Sequence, residues 1–265
     1  MNIVFGKYIS SNSLLHRIDP RAKILVLFLM LIAVFVPISW WAYLPITVIC
    51  LVSLLIADIS LKTIAKAFKS LIFMMILLLV INAISIKTGD LLISLGEFEI
   101  YSDAILNTLK TILRLLLMIM ITTILTATTK PLDLTLGIEY LLKPLKIINF
   151  PVHEMAMMIS IALRFIPTII EETMRIMNAQ KSRGVDFEEG KLKEKVNAIL
   201  SLIVPLFSVA FQRAYELADA MEARGYIPGA ERTRYKKLYI KYYDIIYVFV
   251  GIAVLGFSIF TRIVL

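Results

Sequence analysis

Two arginines recur in the same setting. Ser182-Arg183-Gly184 and Ala223-Arg224-Gly225 each close a long stretch of helical periodicity, forty-one residues apart. A guanidinium is a rigid planar fork of five donors. At a helix tip it can pair with carboxylates or carbonyls on another protein. A single Arg-Gly ending is explained by capping, because glycine takes the left-handed conformation past the last turn and a cation there favours the helix dipole. Two such endings, each followed by a hydrophobic residue (Val185, Tyr226), exceed what capping needs. They make capping a less complete explanation and leave two guanidinium groups able to pair with another protein.

Little else in the chain could do chemistry. Residues 184–191, GVDFEEGK, superficially resemble a phosphate-binding loop. Five residues rather than four separate its glycines, Leu192 replaces the hydroxyl residue, and Glu188 and Glu189 would repel phosphate. No ATP site or other cofactor site is predicted, so any ATPase is a separate chain. His16 and His153 are far apart, and the single cysteine, Cys50, lies in an apolar run. Neither a metal-ligand cluster nor a nucleophile–base pair is predicted, and the chain does not read as an enzyme. Glu171 and Glu172 are adjacent, do not share a helix face, and read as solvated. Lys110 and Arg114 lie one helical turn apart in an apolar segment. They read as side chains snorkelling to outer headgroups rather than as an ion path.

The elements that position the two tips belong to a membrane protein. Of 265 residues, 59% are hydrophobic and 18% charged, with a mean hydropathy of +0.84. Residues 24–57 carry no charge. That is about 51 Å of helix, too long for one crossing of a core about 30 Å thick. Pro37-Ile38-Ser39 is expected to break it into two spans, with Trp40, Trp41 and Tyr43 at an interface. Lys62, Lys66 and Lys69 then form a basic stripe suited to lipid headgroups. Further spans are expected over 71–86, 104–128 and 245–264, with a polar loop at 87–103 in which FEIY reads as a short strand.

The expected fold is all-α, with about five transmembrane helices and a cytoplasmic domain built on two long crossing amphipathic helices. The domains are read as 1–129 (four spans), 130–243 (cytoplasmic, with the two Arg-Gly-terminated helices) and 244–265 (last span). Segment 130–243 holds 17 of the 28 basic residues. The positive-inside rule therefore places it and the N-terminus in the cytoplasm and the C-terminus outside. A net charge of +8 reads as this bias rather than as nucleic-acid binding.

The first long helix is read from Val152 to Arg183-Gly184 and the second from about Leu192 to Arg224-Gly225, with kinks expected at Pro167 and Pro205. Ala210, Ala214 and Ala218 recur every fourth residue, as a close helix crossing or plain helix propensity would have it. Met155, Met157 and Met158 cluster at the start of the first helix, where methionine can re-pack against different partners or simply fill a core. Near the N-terminus, Asp19-Pro20-Arg21 reads as a helix start, with Asp19 as cap, Pro20 in the first position, and Arg21 and Lys23 at the inner headgroups.

Asp19-Pro20-Arg21 with the paired Arg-Gly endings resembles the transmembrane T component of energy-coupling factor (ECF) transporters, ABC-type importers of vitamins and metals. The resemblance covers essentially the whole chain. Ser182 stands where the family usually has alanine. The opening FGKYISSNSLLHRIDPRAK is similar to the shared type, which serves several substrate-binding subunits, more than to the dedicated cobalt type. The resemblance implies a multi-pass protein of a prokaryotic cell membrane. It implies docking of Arg183 and Arg224 into two ATPase subunits, and motion passed to an embedded substrate-binding (S) subunit. The rival readings are an autonomous secondary transporter or channel, for which Asn82 is the one mid-membrane polar candidate, and a membrane enzyme, which lacks a cluster of acids or histidines.

Overall fold

The computed structural model describes residues 8–9, 11, 13–36, 40–69, 71–95, 98–148, 150–187, 190–230 and 238–264. Pro37-Ile38-Ser39, Lys7, Gly96, Glu97, Glu188 and Glu189, which figured above, lie outside them. A short turn of helix, α1 (Leu14–Arg17), precedes α2 (Pro20–Phe35). A 3-10 turn over Trp40–Ala42 leads into α3 (Tyr43–Ile56), followed by α4 (Leu61–Lys69) and α5 (Ile72–Ser85). A hairpin pairs β1 (Leu91–Leu95) antiparallel with β2 (Phe98–Tyr101), which is the FEIY segment. Then come α6 (Ser102–Thr128), α7 (Pro131–Leu142), a 3-10 segment (Lys143–Ile148), α8 (Val152–Ser182), α9 (Leu192–Ala223) and α10 (Tyr242–Val264). The architecture is all-α apart from this hairpin.

The chain forms two compact units, one of Met1–Leu141 with Leu238–Leu265 and one of Leu142–Lys237. The first is organised around α2, whose apolar residues face all round: one side is buried by other helices, while Leu25, Phe28, Ile32 and Phe35 are exposed. Val26, Met30, Ala33 and Val34 pack with Ile46, Cys50 and Leu54 of α3, Leu117, Ile121 and Ile124 of α6, and Val254 of α10. In α4, Ile64 is buried while Lys62, Lys66 and Lys69 are exposed on the other side. The second unit packs α8 against α9. Both helices run unbroken through Pro167 and Pro205.

Four helices are long and apolar enough to cross a membrane: α6, α8, α9 and α10. Two of these are the helices that charge patterning assigned to the cytoplasm, so length and composition do not separate the two groups. The apolar helices α3 and α5 have 14 residues each and α2 has 16. At about 21–24 Å they fall short of a core about 30 Å thick.

Three side chains stand differently from the sequence reading. Lys23 does not reach headgroups: its Nζ is buried and donates to the Thr128 carbonyl at 2.9 Å and to Thr129 Oγ1 at 3.1 Å. Arg21 lies with its guanidinium 3.4 Å from the centroid of the Tyr140 ring. Arg114 does not simply snorkel, because its Nε donates to the hydroxyl of the buried Tyr43 at 2.6 Å. In each case the cation serves a helix junction; for Lys23 and Arg114 a hydrogen-bonded partner offsets the loss of water, whereas Arg21 Nε is buried with no hydrogen bond and rests on the Tyr140 ring and on Asp19 Oδ1, 3.9 Å away. Lys110 sits 5.8 Å from the Trp40 ring, at the level of the exposed indoles Trp40 and Trp41. Asn82 donates to Thr108 Oγ1 at 3.0 Å and so joins α5 to α6.

Candidate functional site

Each long helix ends in the same hydrogen-bonded cap. At the end of α8, Gly184 N–H donates to the Lys181 carbonyl and Val185 N–H to the Gln180 carbonyl, both at 3.0 Å. At the end of α9, Gly225 N–H donates to Glu222 at 2.8 Å and Tyr226 N–H to Met221 at 2.9 Å. These are the two bonds of a Schellman motif, made twice. The glycines have φ of +85° and +73°. A Cβ on either would meet nothing within 4 Å, so the backbone conformation alone selects glycine.

Capping thus requires the glycines, whereas for the arginines it offers only the helix dipole, which any cation in the last turn would serve. Arg183 and Arg224 are the cap residues themselves, with φ and ψ of −87° and 7° in one and −89° and 8° in the other. Both are exposed; their backbone N–H groups bond within the cap, but neither guanidinium forms a hydrogen bond or ion pair with a described residue. Ser182 Oγ donates back to the Asn178 carbonyl at 3.1 Å, and Ala223 is exposed. Each tip is therefore a hydrogen-bonded backbone presenting a guanidinium that has no partner among the described residues.

Glu172 joins the two helices. Its Oε2 lies 3.6 Å from Arg213 Nη2 on α9 and 3.3 Å from Arg175 Nη1 on its own helix. Only 15% of its side chain is exposed, so it is not the solvated acid the sequence suggested. A signal for this pairing existed: Glu172 and Arg213 each stand eleven residues before the arginine of their own tip. Each tip accordingly projects about 16 Å of helix beyond the ion pair.

The alanine row is not the seam between α8 and α9. Ala210 is half-buried, but Ala214 and Ala218 are exposed, while Ala198 is buried and Arg213 and Leu217 are half-buried. Beside that row, α9 exposes Val204, Phe207, Phe211 and Tyr215. At the start of α8, Met155 and Met158 are exposed and Met157 half-buried. In the most apolar 18-residue stretch of each long helix only 6% is buried. That leaves much of the apolar surface of both helices uncovered within the chain. Among the described residues, no group of three His, Cys, Asp or Glu side chains could hold a metal ion.

The Asp-Pro-Arg segment lies in the other unit and is a polar junction, not an exposed site. Asp19 caps α2 by accepting from Arg21 N–H at 2.8 Å, with Pro20 in the first position. Its own N–H donates to Asp244 Oδ1 at 2.8 Å, across 225 residues of sequence. Nothing in the sequence distinguished Asp244 from any other acid at the start of a helix.

The sequence profile of the cobalt transport protein family (CbiQ) matches residues 11–235. The chain is 44% identical over 239 residues to the energy-coupling factor transporter transmembrane protein EcfT of Bacillus subtilis (strain 168), covering 89% of each. It is 41% identical over 242 residues to the protein of that name from Macrococcus caseolyticus (strain JCSC5402), covering 91% of each. With its counterpart in Thermosediminibacter oceani the identity is 43% over 237 residues, covering 89% of each. The chain therefore belongs to the CbiQ cobalt transport protein family, and within it to the transmembrane components of energy-coupling factor transporters.

Proposed function

We propose that this chain is the coupling subunit of an importer: it carries ATP-driven motion from two separate ABC-type ATPases to a membrane-embedded S subunit that holds a vitamin or other micronutrient. One observation carries the reading. Both long helices end in the same hydrogen-bonded cap, and each cap presents an arginine whose guanidinium has no hydrogen bond or ion pair to a described residue. A stiff helix with a charged tip transmits a push, and the Glu172–Arg213 pair ties the two levers together. In this reading Ser182, Arg183 and Gly184 meet one ATPase and Ala223, Arg224 and Gly225 the other. The basic coupling segment and the N-terminus face the cytoplasm, and the C-terminus faces outward.

The exposed face of α9, with Phe207, Phe211 and Tyr215 beside Ala210, Ala214 and Ala218, is the surface for the S subunit. Small residues there let a partner helix approach closely. Met155, Met157 and Met158 add a surface able to re-pack against several exchanging S subunits. The reading assigns no catalytic residue and no cofactor to this chain.

Reconstitution in liposomes tests this against an autonomous carrier. Uptake should require ATP, the ATPases and an S subunit, and should vanish with this chain alone. Uptake by the chain alone would establish the carrier instead. Replacing Met155, Met157 and Met158 together with leucine should change how S subunits compete for the chain. If every S subunit still docks equally well, the exchange role is wrong.

A further inference from the structure

A cap on α2 needs only Asp19 and Pro20, yet three charges are buried around it and a fourth lies beside them. Asp19, Lys23 and Asp244 are each 6% exposed or less, and Arg21, with 22% of its side chain exposed, stands 3.9 Å from Asp19 Oδ1. Burying charge is costly unless every group is satisfied, so an arrangement this dense calls for a reason beyond starting a helix.

The reason lies in where its partners stand along the chain. The second unit, Leu142–Lys237, is an insertion into the first, so the chain leaves the membrane unit after Leu141 and returns at Leu238. On the way out, Arg21 stacks on Tyr140 at 3.4 Å, two residues before the exit. One turn earlier, Gly137 touches the start of α2: a Cβ there would lie 3.0 Å from Ile24 Cδ1 and 3.1 Å from Pro20 Cβ. On the way back, Asp244 accepts from Asp19 N–H at 2.8 Å with one oxygen and from Lys241 N–H at 2.6 Å with the other. Lys23, one turn along α2, secures the α6–α7 junction through Thr128 and Thr129.

We infer that Asp19-Pro20-Arg21 is a two-ended clamp, holding both chain passages between the membrane unit and the inserted coupling unit, and that Arg21, Gly137 and Asp244 are positioning residues for coupling. The inference rests on the coupling reading above. Force applied to an inserted unit reaches the rest of the chain through its two passages. With both passages fixed to one helix start, that force moves the membrane unit as a body; with one released, it is lost in local bending. Arginine is required because its plane stacks on Tyr140 while its edge faces Asp19, which an ammonium cannot do.

Two measurements on the reconstituted complex test the clamp. The first compares wild type, Arg21→Lys, Gly137→Ala and a buried control remote from both passages, Val34→Ala. ATPase capture and ATP hydrolysis should stay within about twofold of wild type in all four. Uptake per ATP hydrolysed should fall at least about fivefold in Arg21→Lys and Gly137→Ala only, the fold-change of a process that loses roughly 1 kcal/mol of coupling. An unchanged ratio in both, or an equal fall in Val34→Ala, overturns the inference. If Gly137→Ala does not accumulate, Arg21→Lys decides. The second is amide hydrogen exchange on the same proteins. Arg21→Lys should loosen the end of α7 and the 241–244 segment together, and a response in one alone refutes the two-ended clamp. Failure of wild type to capture ATPases would instead sink the coupling reading, and the exchange measurement still judges the clamp.

Discussion

Replacing Gly184 or Gly225 with alanine separates a glycine that shapes the tip from one that touches the ATPase. Both residues have positive φ, +85° and +73°, and around both a Cβ would meet nothing within 4 Å. The intramolecular cost is therefore backbone strain alone, about 1–2 kcal/mol for an L-residue in the left-handed region. A strained tip relaxes by releasing its last turn and must re-form it on docking, so the loss in affinity cannot exceed the strain. That bounds the weakening at about 5–30-fold for each site. Asparagine visits this region more readily and should recover most of the loss. The assay is equilibrium binding of the purified ATPases to the chain in nanodiscs, for Gly→Ala and Gly→Asn at each tip. The two tips should respond alike, because their hydrogen bonds are the same. A loss of about a thousandfold with alanine, or asparagine as harmful as alanine, would show that the glycine packs directly on the partner. No loss at all would show that the cap is not needed for docking.

The remaining predictions concern single contacts. The Glu172–Arg213 pair is partly shielded, with 15% and 33% of the side chains exposed. A double-mutant cycle with Glu172→Gln and Arg213→Gln, read by thermal unfolding, should give a coupling of about 0.2–1 kcal/mol, and strict additivity would remove the pair from the account. Asn82→Ala breaks the hydrogen bond to Thr108. It should lower stability by about 1 kcal/mol and leave uptake by the full complex intact. Abolished uptake with a stably folded protein would restore Asn82 to a transport path.

How far the sequence carried depends on the kind of signal. Local rules were legible: Asp19-Pro20 as a helix start, the Arg-Gly ends as caps, FEIY as a strand and the long periodic helices all rest on backbone preferences of a few adjacent residues. Partnerships across the chain were not. Lys23 and Arg21 sit beside an apolar span, where headgroup anchoring is the ordinary outcome, and only the packing of α6, α7 and α10 around α2 turns them inward. Glu172 was read as solvated because it and Glu171, being adjacent, do not share a helix face, and it took Arg213 on another helix to reveal its role. Composition does not separate α8 and α9 from the other long apolar helices: both are long and apolar enough to span a membrane, and only the clustering of basic residues in 130–243 set them apart.

The central claim is that Arg183 and Arg224 dock the ATPases. The most direct measurement is a tagged pull-down from native membranes in mild detergent, with wild type, Arg183→Glu, Arg224→Glu and the double variant compared at equal expression. Wild type should bring down two ATPase chains and one or more small membrane proteins. Each single variant should lose part of the ATPase, and the double variant all of it, while the small membrane proteins stay bound. A double variant that keeps its ATPases would show that the Arg-Gly ends only cap their helices, and the docking account would be wrong.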